Sequence, residues 1–570
     1  MKQPVEVLQE FWGYEQLRPK QSEIIDSVIR GNDTLALLPT GGGKSLCFQV
    51  PAMMQEGICL VISPLIALMK DQVDALNKIN IKSLCITSEY RHKEIDAMFD
   101  RCVYDKEIKF LYLSPERLET DLARTRIAFM NVNLIAVDEA HCISEWGYDF
   151  RPSYLNIADI RPLHKKAPVV ALTASATPPV VKDIQQKLQF KKTNVIAKSF
   201  ARENLAYFVN WEEQKIDKAE RIAKKLKGSG IIYARSRMGT ERIVLALKER
   251  GLSVDFYHAG LDTQARSEKQ NSWFLGKTQI IVATNAFGMG IDKANVRFVL
   301  HFDIPDTLEN YYQECGRAGR DGKKAFSVAL ITSKDVEHFE RKVKQAFPKK
   351  DDIKRIYNAL GSYLKIATGA GKGESFSINM DDFANAYSFD TRMIRYCIKF
   401  LEKEGYISFN EQPNRHSTVQ VICDHEAFYQ VKLRSEQMAS IINNLLRSYA
   451  RIFDEAVRIS EWTIAKRIRW PKDKVVKALH YLHQKELIEY IPTTNLPAIT
   501  FIEERIASKN VRISAEHYSL RKHVIIDKAE AMMHYIQSTN KCRGKILLEY
   551  FGDDNAGDCG ICDYCIERKK

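Results

Sequence analysis

Short apolar runs alternate with helix-length segments from about residue 30 to residue 335. Because these runs carry few polar positions, they are typical of strands buried on both faces of a parallel sheet. The first series comprises TLALLP (34–39), ICLVISP (58–64), KFLYLSP (109–115), LIAVDEA (134–140) and VVALTAS (169–175). The second series comprises GIIYAR (230–235), DFYHAG (255–260), IIVATN (280–285), FVLHFD (298–303) and FSVALIT (326–332). The alternation predicts two α/β domains, joined near residues 199–205.

The pattern changes after the basic stretch at residues 341–350, where helical spacing dominates and strands become rare. One apolar helix face is formed by Ile394, Cys397, Ile398 and Leu401. After Gly405 ends this helix, QPNR (412–415) is predicted to be a turn and TVQVI (418–422) the returning strand of a ribbon. Helix, helix and ribbon indicate a winged helix, and residues 461–502 repeat the pattern.

The composition of the chain indicates which kinds of partner and which compartment to expect. The chain of 570 residues is 45% hydrophobic and carries a formal net charge of +13, which favours polyanionic partners such as nucleic acid or acidic membrane surfaces. A basic balance that arises by chance is the alternative. Neither a signal peptide nor an apolar run of membrane-spanning length is expected. Eight of the 12 cysteines are scattered singly, which indicates a reducing compartment, and a cytoplasmic protein (nucleoid-associated if bacterial) is predicted.

A glycine-rich loop, TGGGKS at 40–45, follows the first strand and precedes a helical segment. Glycines let backbone N–H groups approach phosphate oxygens, Lys44 would reach the β- and γ-phosphates, and Ser45 would ligate Mg²⁺. The strict P-loop pattern requires glycine where this chain has Leu38, so a simple glycine-rich turn is the alternative. The residues predicted to bind ATP through this loop are Thr40, Gly41, Gly42, Gly43, Lys44 and Ser45.

Two further segments suit hydrolysis of the bound nucleotide. In DEAH (138–141), Asp138 would hold Mg²⁺ and Glu139 would orient and deprotonate the attacking water, whereas an exposed acidic helix start is the alternative. In QECGRAGRDG (313–322), Arg317 and Arg320 are expected on one helix face and would stabilise the γ-phosphate charge from the second domain. A surface arginine pair is the alternative.

Together these segments resemble the RecQ family of superfamily-two helicases. The resemblance rests also on FWGYEQLRPKQ (11–21), SPLIALMKDQ (63–72), YLSPERL (112–118), ALTASAT (171–177), YHAGL (257–261) and TNAFGMGID (284–292). It implies that Tyr14 and Arg18 sandwich the adenine, that Gln21 bonds its edge and that Gln313 belongs to the catalytic set. It further implies that Ser114, His258 and Thr284 contact DNA or couple it to ATP.

The stretch HCISEWGYDFRPSYL (141–155) resembles the family's aromatic-rich loop, which links single-strand binding to hydrolysis. Stacking of Trp146 or Phe150 on a base would contribute about 1–3 kcal/mol, whereas a core-filling role is the alternative. Glu145 and Tyr148 depart from the family's usual Gln and His. The residues assigned to this loop's coupling role are His141, Trp146, Phe150 and Arg151.

Four cysteines near the C-terminus have the spacing C-x16-C-x2-C-x2-C, which suits tetrahedral Zn²⁺ in a closed structural site. The predicted ligands are Cys542, Cys559, Cys562 and Cys565. KCRGKILLEYFG (541–552) resembles the zinc-binding element of the RecQ family, and His534 is an alternative ligand. In the family this module directly follows the two α/β domains, but here about 190 residues intervene.

The predicted fold class is α/β, with two RecA-like parallel-sheet domains, winged-helix-type domains and a small helical zinc module. The predicted boundaries are 1–205, 206–345, 346–425, 426–503 and 504–570. Ribbons near residues 408–418 and 490–499 are both candidates for splitting a duplex, with plain structural packing as the alternative.

The predicted function is an ATP-dependent DNA helicase with ATP, Mg²⁺ and Zn²⁺ as cofactors. The resemblance implies that it moves 3′-to-5′ on single-stranded DNA and unwinds forked or branched DNA in recombination and repair. The expected protein partners are single-strand-binding protein and recombination factors, and no membrane partner is expected. The first alternative is an RNA helicase or remodeller of the same superfamily. The second is a winged-helix DNA-binding regulator that ATP switches.

Overall fold

The computed structural model describes residues 2–39, 41–87, 90, 92–147, 150–285, 287, 293–410, 417–424, 426, 428, 430–431, 435–492 and 496–569. The chain forms two compact units. One comprises Met1–Val343 with Leu520–Lys570, and the other comprises Lys344–Ser519. Within the described ranges, we find no helix that is long and apolar enough to cross a membrane.

The first unit begins with a seven-stranded parallel sheet in the order β3-β4-β2-β5-β6-β1-β7. Its strands are β1 Thr34–Leu37, β2 Ile58–Ile62, β3 Ser83–Ile86, β4 Phe110–Leu113, β5 Val132–Val137, β6 Val169–Thr173 and β7 Val195–Ala197. The accompanying helices are α1 Pro4–Trp12, α2 Gln21–Ile29, α3 Leu46–Met53, α4 Ile66–Lys78, α5 His92–Tyr104, α6 Asp121–Ala128 and α7 Pro178–Lys187. The central strands are buried along their whole length, because apolar layers cover both faces of the sheet.

A second parallel sheet follows with six strands in the order β10-β11-β9-β12-β13-β8. Its strands are β8 Leu205–Trp211, β9 Ser229–Tyr233, β10 Val254–Tyr257, β11 Ile280–Ala283, β12 Val296–His301 and β13 Ala325–Ile331. The helices of this part are α8 Lys215–Leu226, α9 Arg237–Glu249, α10 Thr263–Phe274, α11 Leu308–Cys315 and α12 Ser333–Gln345. All ten predicted apolar runs overlap a strand, so the two-sheet prediction is confirmed.

The second unit contains two three-stranded antiparallel sheets, ordered β14-β19-β15 and β17-β16-β18. The strands are β14 Ser375–Ser377, β15 Ile407–Asn410, β16 Ser417–Val421, β17 Val457–Ile459, β18 Ile488–Ile491 and β19 Ala498–Phe501. The helices are α13 Lys350–Tyr363, α14 Met380–Tyr387, α15 Thr391–Lys403, α16 Glu436–Ser448, α17 Glu461–Ile468 and α18 Lys472–Gln484. The predicted helix face is confirmed, since α15 buries Ile394, Cys397, Ile398 and Leu401.

Both predicted ribbons are wrong in their pairing. The strand β15 pairs with β19, and β16 pairs with β17 and β18, so neither 408–418 nor 490–499 forms a hairpin. Ile407 and Ile499 share one apolar core, whereas Val419 and Ile488 share another. The predicted turn at 412–415 lies outside the described residues. We therefore propose, in place of a boundary near residue 425, that a module at 417–491 is inserted into the first winged helix.

The chain ends in three helices, α19 Ala515–Gln537, α20 Arg543–Tyr550 and α21 Asp563–Glu567. Leu548 and Phe551 enter the core of the first parallel sheet. Tyr535 and Leu547 enter the core of the second. This terminal segment therefore packs on both parallel sheets although the second unit separates it from them along the chain.

Candidate functional site

The glycine-rich loop lies at the carboxyl end of β1 and leads into α3. Gly41 and Gly43 have φ angles of +79° and +73°, which disfavour residues with a Cβ. A Cβ on Gly42 would lie 2.8 Å from the carbonyl oxygen of Pro39. The loop therefore needs its glycines for backbone geometry, and it leads into the N-terminus of α3, a place where proteins often bind anions. Thr40 lies outside the described residues.

Lys44 of this loop faces the acidic end of β5. The Lys44 Nζ lies 4.0 Å from Glu139 Oε1, and both side chains are largely buried. Burial alone would raise the pKa of Glu139, but Lys44, His141 and Arg317 hold that pKa below its ordinary value. Burial and the neighbouring Glu139 raise the pKa of Asp138. A buried carboxylate that is costly to ionise suits a divalent cation as partner, so the residues fit the predicted Mg²⁺.

The arginine segment of the second sheet reaches this site. Arg317 is 3% exposed and interacts electrostatically with Glu139. A Cβ on Gly41 would lie 3.4 Å from Cγ of Arg320. The prediction that both arginines lie on a helix face is wrong, because α11 ends at Cys315 and turns follow. Gln313, on α11 itself, is half-buried.

The turn that carries the arginines is held by the linker between the two sheets. Arg202 donates hydrogen bonds to the carbonyl oxygens of Gly316 and Ala318, at 3.3 and 2.9 Å. The Asn204 side chain donates to the carbonyl oxygen of Gly319, at 2.7 Å. Because Gly319 has φ +66°, the turn departs from helical geometry there. The sequence motif located the arginines, but only the tertiary contacts reveal what orients them.

The residues predicted to read the adenine border the glycine-rich loop. The Gln21 Nε2 donates to the carbonyl oxygen of Gly43 at 2.9 Å, and the Arg18 N–H donates to Gln21 Oε1 at 2.7 Å. Arg18 also donates from its guanidinium to the carbonyl oxygen of Gly41. Tyr14 is 57% exposed. Both Arg18 and Gln21 thus lie directly beside the loop, whereas the Tyr14 ring faces solvent.

The aromatic-rich loop begins directly after the acidic pair. His141 Nδ1 lies 2.9 Å from Thr173 Oγ1 and 3.3 Å from Glu139 Oε2, so the imidazole bridges β6 and the nucleotide site. Trp146 is partly buried against the core of the first sheet, and Phe150 is half-buried. Tyr148 lies outside the described residues. The loop is therefore attached through His141 to Glu139 and through Trp146 to the core of the first sheet.

Further predicted DNA-coupling residues occupy strand ends. Ser114 follows β4, His258 follows β10 and Thr284 follows β11, each directly after its strand. His258 is 5% exposed, and its Nε2 lies 3.2 Å from Glu241 Oε1. Arg151 donates to the carbonyl oxygen of Pro64, which follows β2, at 3.2 Å. The carboxyl edges of the two sheets thus carry most of the predicted contact residues, as is usual for ligand sites in open α/β sheets.

The four C-terminal cysteines converge. Their Sγ atoms all lie within 4.8 Å of one another, and those of Cys542 and Cys562 are 3.8 Å apart. Tetrahedral coordination at a Zn–S distance of about 2.3 Å places sulfurs about 3.8 Å apart, so the cluster fits zinc. A Cβ on Gly544 would lie 3.0 Å from that of Cys559, which explains the glycine. His534 does not belong to the cluster.

Two anchoring contacts of this zinc module are absent from the sequence prediction. Lys528 Nζ lies 2.9 Å from Glu309 Oε1, and both side chains are almost fully buried. The Tyr535 hydroxyl donates to that of Tyr311 at 3.1 Å. Glu309 and Tyr311 lie on α11, directly before the arginine turn. The module therefore supports the element that positions Arg317, a relation that no spacing of cysteines indicates.

Models of known protein families match four segments of the chain. The DEAD/DEAH box helicase model matches residues 18–184, and the helicase conserved C-terminal domain model matches residues 214–322. The model of the RecQ helicase winged-helix domain of Bacteroidota matches residues 419–492, and the RecQ zinc-binding model matches residues 500–566. The winged-helix match coincides with the core that contains β16 and β18.

Relatives match about three fifths of the chain. The chain is 44% identical over 365 residues to ATP-dependent DNA helicase RecQ of Bacillus subtilis, covering 61% of this chain and 60% of that protein. It is 37% identical over 360 residues to the probable ATP-dependent DNA helicase RecS of the same organism, covering 62% of this chain and 72% of that protein. The chain thus spans about three fifths of the RecQ protein that it matches.

A solved structure supports the fold. The helicase MrfA bound to DNA superposes with a TM-score of 0.50 at 19% identity, covering 60% of this chain and 54% of that one. At this identity the similarity concerns the arrangement of the sheets alone. The sequence relatives and the zinc-binding and winged-helix matches carry the assignment: the chain belongs to the RecQ family of helicases.

Proposed function

We propose that this chain is an ATP-dependent DNA helicase that moves 3′-to-5′ on single-stranded DNA and unwinds forked or branched duplexes in recombination and repair. The observation that carries the proposal is the approach of Arg317 and Arg320, from the second sheet, to Glu139 and Gly41 of the first. A hydrolysis site built from two sheets makes turnover depend on their relative position. Such a dependence is what converts nucleotide turnover into movement along a strand.

The side chains have distinct roles in this proposal. Lys44 contacts the β- and γ-phosphates, and Ser45 with Asp138 would hold Mg²⁺, which neutralises phosphate charge. Glu139 is kept ionised by its positive neighbours and accepts a proton from the attacking water. Arg317 and Arg320 stabilise the charge on the transferred phosphate.

DNA rather than RNA is proposed as the track. The support is the names of the RecQ and RecS relatives, which are DNA helicases, together with the aromatic loop and the zinc cluster. Aromatic stacking and contacts at strand ends suit sequence-tolerant binding of a single strand. The RNA alternative predicts that RNA stimulates ATP turnover at least as strongly as DNA does.

A forked duplex is proposed as the substrate because the helices of the inserted module are rich in basic residues. Residues 461–484, which span α17 and α18, hold six lysines and arginines against two acids, and one of those acids, Glu461, is buried. The matching segment 380–403, which spans α14 and α15, holds four of each. The inserted module is therefore better suited to duplex phosphates than the winged helix that surrounds it.

An unwinding assay tests the proposal. Duplexes with a 3′ tail, a 5′ tail, a fork or a four-way junction are incubated with the protein, ATP and Mg²⁺, and ATP turnover is measured with single-stranded DNA or RNA. We expect unwinding of the 3′-tailed and forked duplexes and stronger stimulation by DNA. Stimulation by RNA alone would support the RNA alternative, and DNA binding without turnover would support the ATP-switched regulator.

A further inference from the structure

Asp183 and Lys187 lie one helical turn apart on α7 and both contact the aromatic-rich loop. The Ser144 hydroxyl donates to Asp183 Oδ2 at 2.6 Å, and Lys187 Nζ lies 3.1 Å from the same oxygen. Lys187 also donates to the carbonyl oxygen of Ile143 at 3.3 Å. Its Nζ lies 5.6 Å from the ring centroid of Phe150. One ion pair therefore contacts the loop both near its start, at Ile143 and Ser144, and at Phe150.

The pair is shielded well enough for these contacts to be specific. The side chain of Asp183 is 17% exposed and that of Lys187 is 25% exposed. An ammonium over an aromatic ring is attracted more strongly when both groups are partly removed from water. These contacts therefore contribute more stabilisation than those of a freely solvated surface pair.

The helix α7 is also close to the hydrolysis site. Four residues separate the end of β6 at Thr173 from the start of α7 at Pro178. Thr173, the last residue of β6, contacts His141, which in turn contacts Glu139. A change in the contacts between α7 and the loop therefore has a short physical route to the carboxylate that is proposed to activate water.

We propose that Asp183 and Lys187 are positioning residues that transmit the binding of single-stranded DNA from Phe150 to the hydrolysis site. A base that stacks on Phe150 needs a face of the ring that Lys187 approaches, and the neighbouring phosphate offers this ammonium a new partner. DNA binding thereby changes the contacts that Asp183 and Lys187 of α7 make with the loop. This inference rests on the proposed function, since it requires hydrolysis that DNA stimulates.

The test compares ATP turnover with and without single-stranded DNA in Lys187→Met and in the wild type. We expect the ratio of stimulated to basal turnover to fall about tenfold, with the KM for ATP and the Kd for single-stranded DNA unchanged within about twofold. Lys187→Arg, which keeps the charge and its contact with an aromatic face, should retain stimulation. Lys182→Met, on an exposed position of the same helix, is the matched control.

Three results with folded proteins would overturn the inference. If DNA does not stimulate ATP turnover in the wild type, the proposed function is contradicted as well. Normal stimulation in Lys187→Met contradicts only the coupling role. A raised Kd with full stimulation at saturating DNA makes Lys187 a plain DNA contact. If Lys187→Met does not fold, Asp183→Asn replaces it, because the amide still accepts the Ser144 bond while the ion pair is lost. Unchanged stimulation in that variant again contradicts the proposal.

Discussion

Glu139 lies where positive groups from both sheets meet. Lys44 and His141 approach it from the first sheet and Arg317 from the second, and together they keep its pKa low. Its own backbone has φ +47°, an uncommon value for a residue with a side chain. A strained backbone and a charge held against burial are typical of a residue retained for chemistry.

Replacing Glu139 by Gln should abolish turnover while nucleotide binding survives. The amide keeps the size of the side chain but cannot accept a proton from water, so we expect phosphate release with single-stranded DNA to fall by at least about 100-fold. Binding of a fluorescent ATP analogue should change by less than about threefold. Glu107→Gln, at an exposed ion pair with Lys82, is the control. Turnover near the wild-type rate would contradict the assignment.

Elements of the second unit show where sequence patterns stop being informative. The heptad-like spacing on α15 correctly predicts its buried face, because periodicity depends only on the helix itself. The partner of β16 depends on which core encloses its apolar side chains, and both available cores accept β-branched residues. Strand existence was therefore predictable here, whereas strand pairing was not.

The zinc module should stabilise the unit that contains the two parallel sheets. We expect metal analysis to find about one zinc per chain, because four sulfurs complete the tetrahedron. Cys562→Ser should remove the zinc and lower the melting temperature of the protein, since Leu547 and Phe551 near this cluster pack on the two parallel sheets.

Cys423→Ser serves as the control for this prediction. Cys423 lies in the second unit, outside the sulfur cluster, and its thiol is partly exposed. This variant should keep both its zinc content and its melting temperature. Carefully reduced wild-type protein that carries no zinc would refute the module.

For the whole molecule, the nested arrangement of the second unit predicts that the inserted module can be removed. Asn410 lies directly opposite Ala498 in the β15–β19 pair, so an Asn-Gly turn in place of residues 411–497 should close a hairpin. No described residue between Asn410 and Ala498 belongs to the surrounding core. We expect the deletion variant to fold, which a circular dichroism melt measures. Its DNA-stimulated ATP turnover should stay within about threefold of the wild-type rate.

The same deletion should weaken binding of forked DNA and make it less sensitive to salt, because fewer phosphates are neutralised. Fluorescence anisotropy between low and moderate salt measures both effects. Lys474→Glu with Lys477→Glu on α18 should reproduce them, whereas Arg395→Glu with Lys399→Glu on α15 is the matched control. Equal losses in both double variants would contradict a special role of the inserted module.

The sequence by itself predicted the two parallel sheets, the glycine-rich loop, the acidic pair, the arginines and the four cysteines that cluster near the C-terminus. Each of these depends on local spacing or on residue types whose chemistry is specific, so a linear pattern carries the information. Only the tertiary structure decided that the arginines lie on a turn held by Arg202, and that the zinc module supports α11. It also decided the strand pairing and the hold of Asp183 and Lys187 on the loop. These features join residues far apart along the chain, and packing selects their partners among several that the sequence pattern allows.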